Sequence, residues 1–199
     1  MKTILISFFS ILISLPVYCQ SINGTELGLD ASFNSRTGQV RSGNFGLGIK
    51  YGFKFGETII LGPSIRYQRT WSDDGATGNK FSRNSWGGGA FIHARFNNVA
   101  FIGVQAEFIQ SPFTSNGLMS LDGSSWVATC LIGAGLDYGF ENNWRINAGV
   151  YYDILDIPNP NNPENNNPNS PFQPYLARNK QNQVIPIVYR ISLFIPITE

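Results

Sequence analysis

Residues 44–55 read NFGLGIKYGFKF and alternate without a break. Phe45, Leu47, Ile49, Tyr51, Phe53 and Phe55 share one face, while Gly46, Gly48, Lys50, Gly52 and Lys54 share the other. A period of two is the mark of a β-strand, because successive side chains point to opposite sides of the pleat. The strand leaves one question open, namely which face meets water. An apolar face turned inward makes a soluble barrel or sandwich; turned outward, it makes a membrane protein.

Seven further segments repeat the pattern. Residues 24–33 carry Leu27, Leu29, Ala31 and Phe33 on one face, and residues 58–71 carry Ile59, Leu61, Ile65, Tyr67 and Trp71. Residues 86–96 carry Ala90, Ile92, Ala94 and Phe96; residues 99–109 carry Ala100, Ile102, Val104, Ala106 and Phe108. A long segment shows Ala128, Cys130, Ile132, Ala134, Leu136, Tyr138 and Phe140. The next shows Trp144, Ile146, Ala148, Val150, Tyr152 and Ile154, and the last Ile187, Tyr189, Ile191, Leu193, Ile195 and Ile197. The connections 56–57, 97–98 and 141–143 are short and built from Gly, Glu and Asn, as tight hairpin turns require. Those at 34–42, 72–85, 110–124 and 156–183 are longer. The pattern predicts an all-β fold, an eight-stranded antiparallel up-and-down transmembrane β-barrel with short turns at one end. An even strand number puts both termini at that end.

The chain has 199 residues and a formal net charge of +1, with 14% charged and 14% aromatic residues and 21 glycines. Balanced charge excludes a nucleic-acid partner held by a basic surface. Residues 1–19 read as a cleaved signal peptide: basic Lys2, an apolar run over 4–15, Pro16, and Val17 and Cys19 at the −3 and −1 positions. The alternative, with Cys19 as a lipidated first residue, is opposed by bulky Tyr18. Residues 20–199 are then one barrel domain with a long low-complexity loop at about 156–183, and Cys130 is its single thiol.

Three features turn the apolar face toward lipid. The apolar side chains are too many and too large to fit inside eight strands, whose interior barely holds its own side chains. The opposite face is rich in glycine (Gly46, Gly48, Gly52, Gly133, Gly135, Gly149), which makes room inside a narrow barrel but weakens a solvent face for no gain. The four tryptophans Trp71, Trp86, Trp126 and Trp144 fall on the apolar face near strand ends, as in an aromatic girdle at the membrane boundary. Parity then sends Glu26, Asp30, Lys50, Lys54, Arg66, His93, Arg95, Glu107, Asp137, Arg145, Asp153 and Arg190 into the lumen. Their near-balanced signs imply mutual pairing, since an unpaired buried ion is costly. Glu26 with Lys54 and Asp30 with Lys50 have equal index sums, so both pairs could be directly opposed lumen neighbours in one antiparallel register, and carboxylate–ammonium contacts, direct or through water, are expected for both. Arg69 shares parity with Tyr67 and Trp71, and is expected to snorkel on the outer face rather than turn inward at a bulge near Pro63.

In strand number, loop asymmetry and aromatic girdles the chain resembles the small outer-membrane β-barrel family. That family includes proteins of the OmpX/Ail type, the transmembrane domain of OmpA and many barrels from Bacteroidota. The resemblance covers all of residues 20–199 and rests on architecture, with no signature motif. It implies the outer membrane of a Gram-negative bacterium, extracellular long loops, and periplasmic short turns and termini. It further implies contact with outer-membrane lipid and lipopolysaccharide. The chain departs from the family at its end, where Glu199 stands in place of a terminal aromatic and the nearest one is Phe194.

No catalytic, cofactor-binding or metal constellation stands out. The one histidine, His93, has lumen parity, has no serine two residues away, and is expected to pack near Arg95 and Glu107. The glycine runs GLGIKYG and GGGAF lie in strands and precede no helix, so they are not phosphate loops. Two apolar islands sit on the loops: Phe113, Leu118, Met119 and Leu121 on one, and Phe172, Tyr175 and Leu176 on the other. Such clusters suit a surface protein or glycan partner. The expected function is therefore non-enzymatic: a structural or surface-interaction role through the loops. The alternatives are a narrow small-solute or ion pore and, further off, a lipid A-modifying enzyme.

Overall fold

A computed structural model describes residues 22–36, 40–74, 78, 80–111, 125–156, 177–178, 184–185 and 187–198. The signal-peptide reading, the question of Cys19 and both apolar islands on the loops lie outside the described residues.

Eight strands close into one antiparallel barrel: β1 (Ile22–Arg36), β2 (Val40–Phe55), β3 (Ile59–Asp74), β4 (Lys80–Phe96), β5 (Ala100–Ser111), β6 (Ser125–Gly139), β7 (Arg145–Asp153) and β10 (Ile187–Thr198). Each pairs with its sequence neighbour, and β10 closes against β1. Between β7 and β10 a 3-10 turn covers Ile154–Asp156, and two-residue strands β8 (Ala177–Arg178) and β9 (Val184–Ile185) pair with one another outside the barrel. Closure leaves no unpaired sheet edge around the barrel wall, so the backbone groups of that wall are satisfied without water.

The short turns follow their residues' freedom to adopt positive φ. Gly56, Asn97, Asn98 and Asn143 all lie between +49° and +63°, and all sit in the 56–58, 97–99 and 141–143 turns. Asn tolerates this region because its short side chain can hydrogen-bond locally. At the opposite end the strands run farther than expected. β1 and β2 pair as far as Arg36↔Ser42, and β3 and β4 as far as Asp73↔Lys80. Only residues 37–39 and 75–79 separate these strands, which corrects two of the four long loops. The polar composition there marks a hairpin that continues past the apolar band, where neither face needs to be greasy. Trp71 and Trp86 consequently lie within strands and not at their ends, Trp71 facing Ser82 and Trp86 facing Tyr67 across the β3–β4 ladder. The asymmetry between the barrel's ends now rests on 112–124 and on the connection after β7.

The distribution of side chains is inside out relative to a soluble protein. Among the described residues, the buried side chains are twenty polar or charged and eight apolar. Twenty-eight large apolar side chains stand exposed, among them Ile65, Ile102, Ile132, Leu136 and Tyr138. At roughly half exposure each, they present on the order of 2,000 Å² of apolar surface, against a largest patch of ~300–600 Å² on a typical soluble monomer. Aromatic pairs stud this surface: Tyr67 with Trp86 at 4.7 Å, Phe108 stacked on Trp126 at 5.2 Å and Phe33 with Trp71 at 6.4 Å. Arg69 lies on the same outer face and is exposed. The β3 registers run unshifted past Pro63, so no bulge redirects it.

Candidate functional site

Among the described residues charged side chains converge in the lumen, in two tiers with aromatic rings between them. At the turn end, Arg95 on β4 donates both guanidinium Nη groups to Glu26 on β1, at 3.0 and 2.8 Å. Lys54 reaches the same carboxylate only at 3.9 Å and is one-third exposed. Arg145 donates to Asp137 at 2.7 Å. These residues meet because Lys54, Arg95, Asp137 and Arg145 lie within a few positions of a short turn and Glu26 lies near the start of β1, at the same end of the barrel.

The middle tier is a connected ion network. Asp30 accepts from Lys50 at 3.1 Å, from the Ser192 hydroxyl at 2.5 Å and from Arg66 Nη2. Glu107 accepts from Arg66 Nε at 3.1 Å and from both Nη groups of Arg190 at 2.9 and 3.0 Å. Arg66 also donates to Ser32 at 2.9 Å. Five ions from five strands are thus tied across the full width of the barrel, and all are buried. Taking ions out of water is repaid only when geometry and hydrogen bonds are this complete. The network therefore argues for a single fixed interior more than for extra stability.

Aromatic rings fill the space between these tiers. Phe91, Phe101, Phe194 and Tyr151 point inward, with Ile60, Leu131 and Val188 beside them. Arg95 sits 4.6 Å from the centroid of Phe194, Lys50 5.4 Å from Phe91 and Arg190 5.6 Å from Tyr151, distances at which a cation is attracted to a ring face. Parity places each of these rings on the lumen face, Phe91 with His93 and Arg95, Phe101 with Glu107, Tyr151 with Asp153 and Phe194 with Arg190, although each stands next to an outward apolar residue: Ile92, Ile102, Tyr152 and Leu193. The doublets themselves are the readable signal, since a strand with two apolar faces has no soluble side. Glycine makes the rings fit. A Cβ on Gly103 would come within 2.5 Å of the His93 ring, and one on Gly149 within 2.7 Å of Phe101.

Several expected neighbours change. The β1–β2 register pairs Gly28 with Lys50 and Glu26 with Gly52. It is displaced by two residues from direct opposition of Glu26 with Lys54 and of Asp30 with Lys50. Both pairs share the lumen face but meet diagonally, which still lets Lys50 reach Asp30. Glu26 takes Arg95 as its hydrogen-bonded partner in place of Lys54. His93 is buried in the lumen, where its Nε2 meets Gln105 at 3.3 Å and the Tyr151 hydroxyl at 3.1 Å, within a ring of Phe91, Phe101 and Phe194. Arg190 binds the Gln105 carbonyl oxygen, so the Gln105 amide donates to His93, whose Nε2 is then the acceptor. Asp153 lies apart at the loop end, accepting from the backbone N–H groups of Cys130 at 3.2 Å and Leu155 at 3.1 Å. Among the described residues no three His, Cys, Asp or Glu side chains gather into a metal cage.

A cavity of about 300 Å³ opens at the turn end, below Glu26, and its walls include Lys54, Asn98, Phe140, Trp144 and Arg145.

Neither a protein-family model nor a curated relative matches the chain. Among solved structures it is similar to the Yersinia pestis outer membrane protein Ail in a phospholipid bilayer nanodisc. The identity is 15%, the likeness covers 88% of this chain and 100% of Ail, and the TM-score is 0.40. It is also similar to the β domain of the Bordetella autotransporter BrkA, at 11% identity over 87% of this chain and 99% of that domain, with a TM-score of 0.30.

Proposed function

We propose that the chain is an integral outer-membrane barrel without enzymatic activity, closed by its own side chains, that presents its long connections at the cell surface. One observation carries this reading: apolar side chains cover the outside of the barrel while ions and amides fill it. A closed barrel is one of only two ways a backbone can cross a bilayer with every polar group satisfied. The filled lumen speaks against a pore, because the Asp30, Lys50, Arg66, Glu107 and Arg190 network and the rings beside it occupy the path a solute would take. The caged His93 speaks against an enzyme. What remains for function is the loop end, where 112–124 and 157–183 carry the two apolar islands and offer contact to a surface protein or glycan, beside outer-leaflet lipopolysaccharide.

Single cysteines in a Cys130→Ser chain test this. A cysteine at Asn166 should react with a membrane-impermeant maleimide on intact cells, and one at Glu141 only after the outer membrane is opened. Recovery of the chain in the soluble periplasm, or the reverse labelling order, would overturn the reading.

A further inference from the structure

The turn-end cavity is built differently from the rest of the lumen. In the middle tier Lys50, Arg66 and Arg190 each donate to a carboxylate at hydrogen-bond distance. Here Lys54 stands 3.9 Å from Glu26, beyond hydrogen-bond reach, with about a third of its side chain exposed. Arg145 gives one Nη to Asp137, and its side chain remains 22% exposed at the cavity wall. The carboxylates at this end do not oppose an incoming anion strongly. Glu26 is neutralised by the two-pronged contact with Arg95, and Asp137 by Arg145. Inside the mouth Glu26 and Asp137 face Lys54, Arg95 and Arg145, two negative charges to three positive, while Glu57 and Glu141 stand exposed on the short turns outside it. Asn98 adds an amide to the wall.

The position of the cavity narrows the ligand further. Trp144 and Phe140 line it and are also exposed on the outer face. The cavity thus opens where the barrel's apolar surface gives way to polar turns, the depth at which amphipathic rings and lipid headgroups meet. We propose that this mouth binds a phosphate group, held between the Lys54 ammonium and the Arg145 guanidinium, with Trp144 beside it. Two donors of this kind on an oxyanion make charge-assisted hydrogen bonds about twice as strong as neutral ones. The phosphate has two sources: the headgroup of an inner-leaflet phospholipid, or a soluble phosphate in the periplasm. The chemistry is the same for both, and only the first depends on the membrane setting proposed above.

The test uses the full chain without residues 1–19, folded in alkyl maltoside micelles that contain no phosphate. The Trp144 indole N–H and the Arg145 Nε–H signals are followed by NMR, first with inorganic phosphate and then with diheptanoyl phosphatidylglycerol. Saturable shifts are expected in at least one titration, weakened roughly tenfold or more by Lys54→Met and by Arg145→Gln, since each removes one charge-assisted contact. Arg145→Lys should retain most of the affinity by keeping the charge. Shifts with the lipid alone assign the headgroup; shifts with both assign phosphate from either source. Because the phosphate titration needs no bilayer, its success or failure is separate from that of the membrane reading. The folded-state mobility shift on unheated gels shows whether each variant has kept its barrel. The proposal is overturned if neither titration moves these signals, or if a folded Lys54→Met, Arg145→Gln double variant responds like the parent.

Discussion

Replacing Glu107 with Gln removes one negative charge from the middle tier at nearly constant volume. The parent tier holds Lys50, Arg66 and Arg190 against Asp30 and Glu107, three positive charges to two negative, all buried. The substitution leaves three against one. Stripping one partner from a buried ion pair costs about 3–5 kcal/mol. The Gln carbonyl still accepts one of the three hydrogen bonds now made at 3.1, 2.9 and 3.0 Å, which recovers about 1 kcal/mol. A net loss of about 2–4 kcal/mol follows. Arg190→Met should cost a similar amount, because it leaves Glu107 short of two donors. The double variant returns the tier to two positive charges and one negative, the same surplus as the parent, so its cost should fall short of the sum by about 2 kcal/mol. Urea titration of reversible folding into phospholipid vesicles, read by tryptophan fluorescence and by gel mobility, measures all three. A single-variant loss below about 0.5 kcal/mol, or additivity of the pair to within that margin, would refute the network as drawn.

Other outcomes follow from the same geometry. Ile132→Arg places a charge on the exposed outer face of β6 and should cost about 2–4 kcal/mol in the same vesicle assay if it lies near the bilayer midplane; a neutral result would mean that this face is wet. Gly103→Ala, whose Cβ would meet the His93 ring at 2.5 Å, should cost about 1–3 kcal/mol by overpacking, and an unchanged stability would remove the room-making role of that glycine. Planar-bilayer recordings of the folded chain should show no steady conductance, whereas large stable channels would contradict the filled lumen.

The alternation of residues 44–55 was enough to announce a strand, and seven like it a barrel, because a period of two survives any choice of partner. Face assignment was legible for the same reason: Glu26, Asp30, Lys50, Arg66, Glu107 and Arg190 all lie on the lumen side that parity gives them. Partner choice was not legible. The β1–β2 register puts Gly28 opposite Lys50, and alternation alone does not distinguish it from one displaced by two residues, which keeps every side chain on the same face. Nor does sequence distance show that Arg95 crosses from β4 to Glu26 on β1, since a barrel brings non-adjacent strands face to face only through its closed interior. The inward rings share the parity of the lumen ions: in FIHARF, Phe91 lies on the face of His93 and Arg95 and packs against Phe194, while Phe96 lies on the face of Ile92 and is exposed. Strand ends were misjudged where Ser72 to Ser85 turned polar, because a hairpin in water needs hydrogen bonds but no apolar face.

The central claim is that the apolar face of each strand touches acyl chains, and β5 offers its most direct test. Nitroxide side chains placed one at a time at residues 102–108, in a Cys130→Ser chain folded into phospholipid vesicles, report collisions with oxygen, which prefers lipid, and with a neutral nickel complex, which prefers water. Positions Ile102, Val104, Ala106 and Phe108 are exposed and Gly103, Gln105 and Glu107 are buried. The predicted result is a period of two, with oxygen reaching the exposed set and neither reagent reaching the buried set. An exposed set that collides chiefly with the nickel complex, or a chain that stays folded and monodisperse with no lipid or detergent, would contradict it.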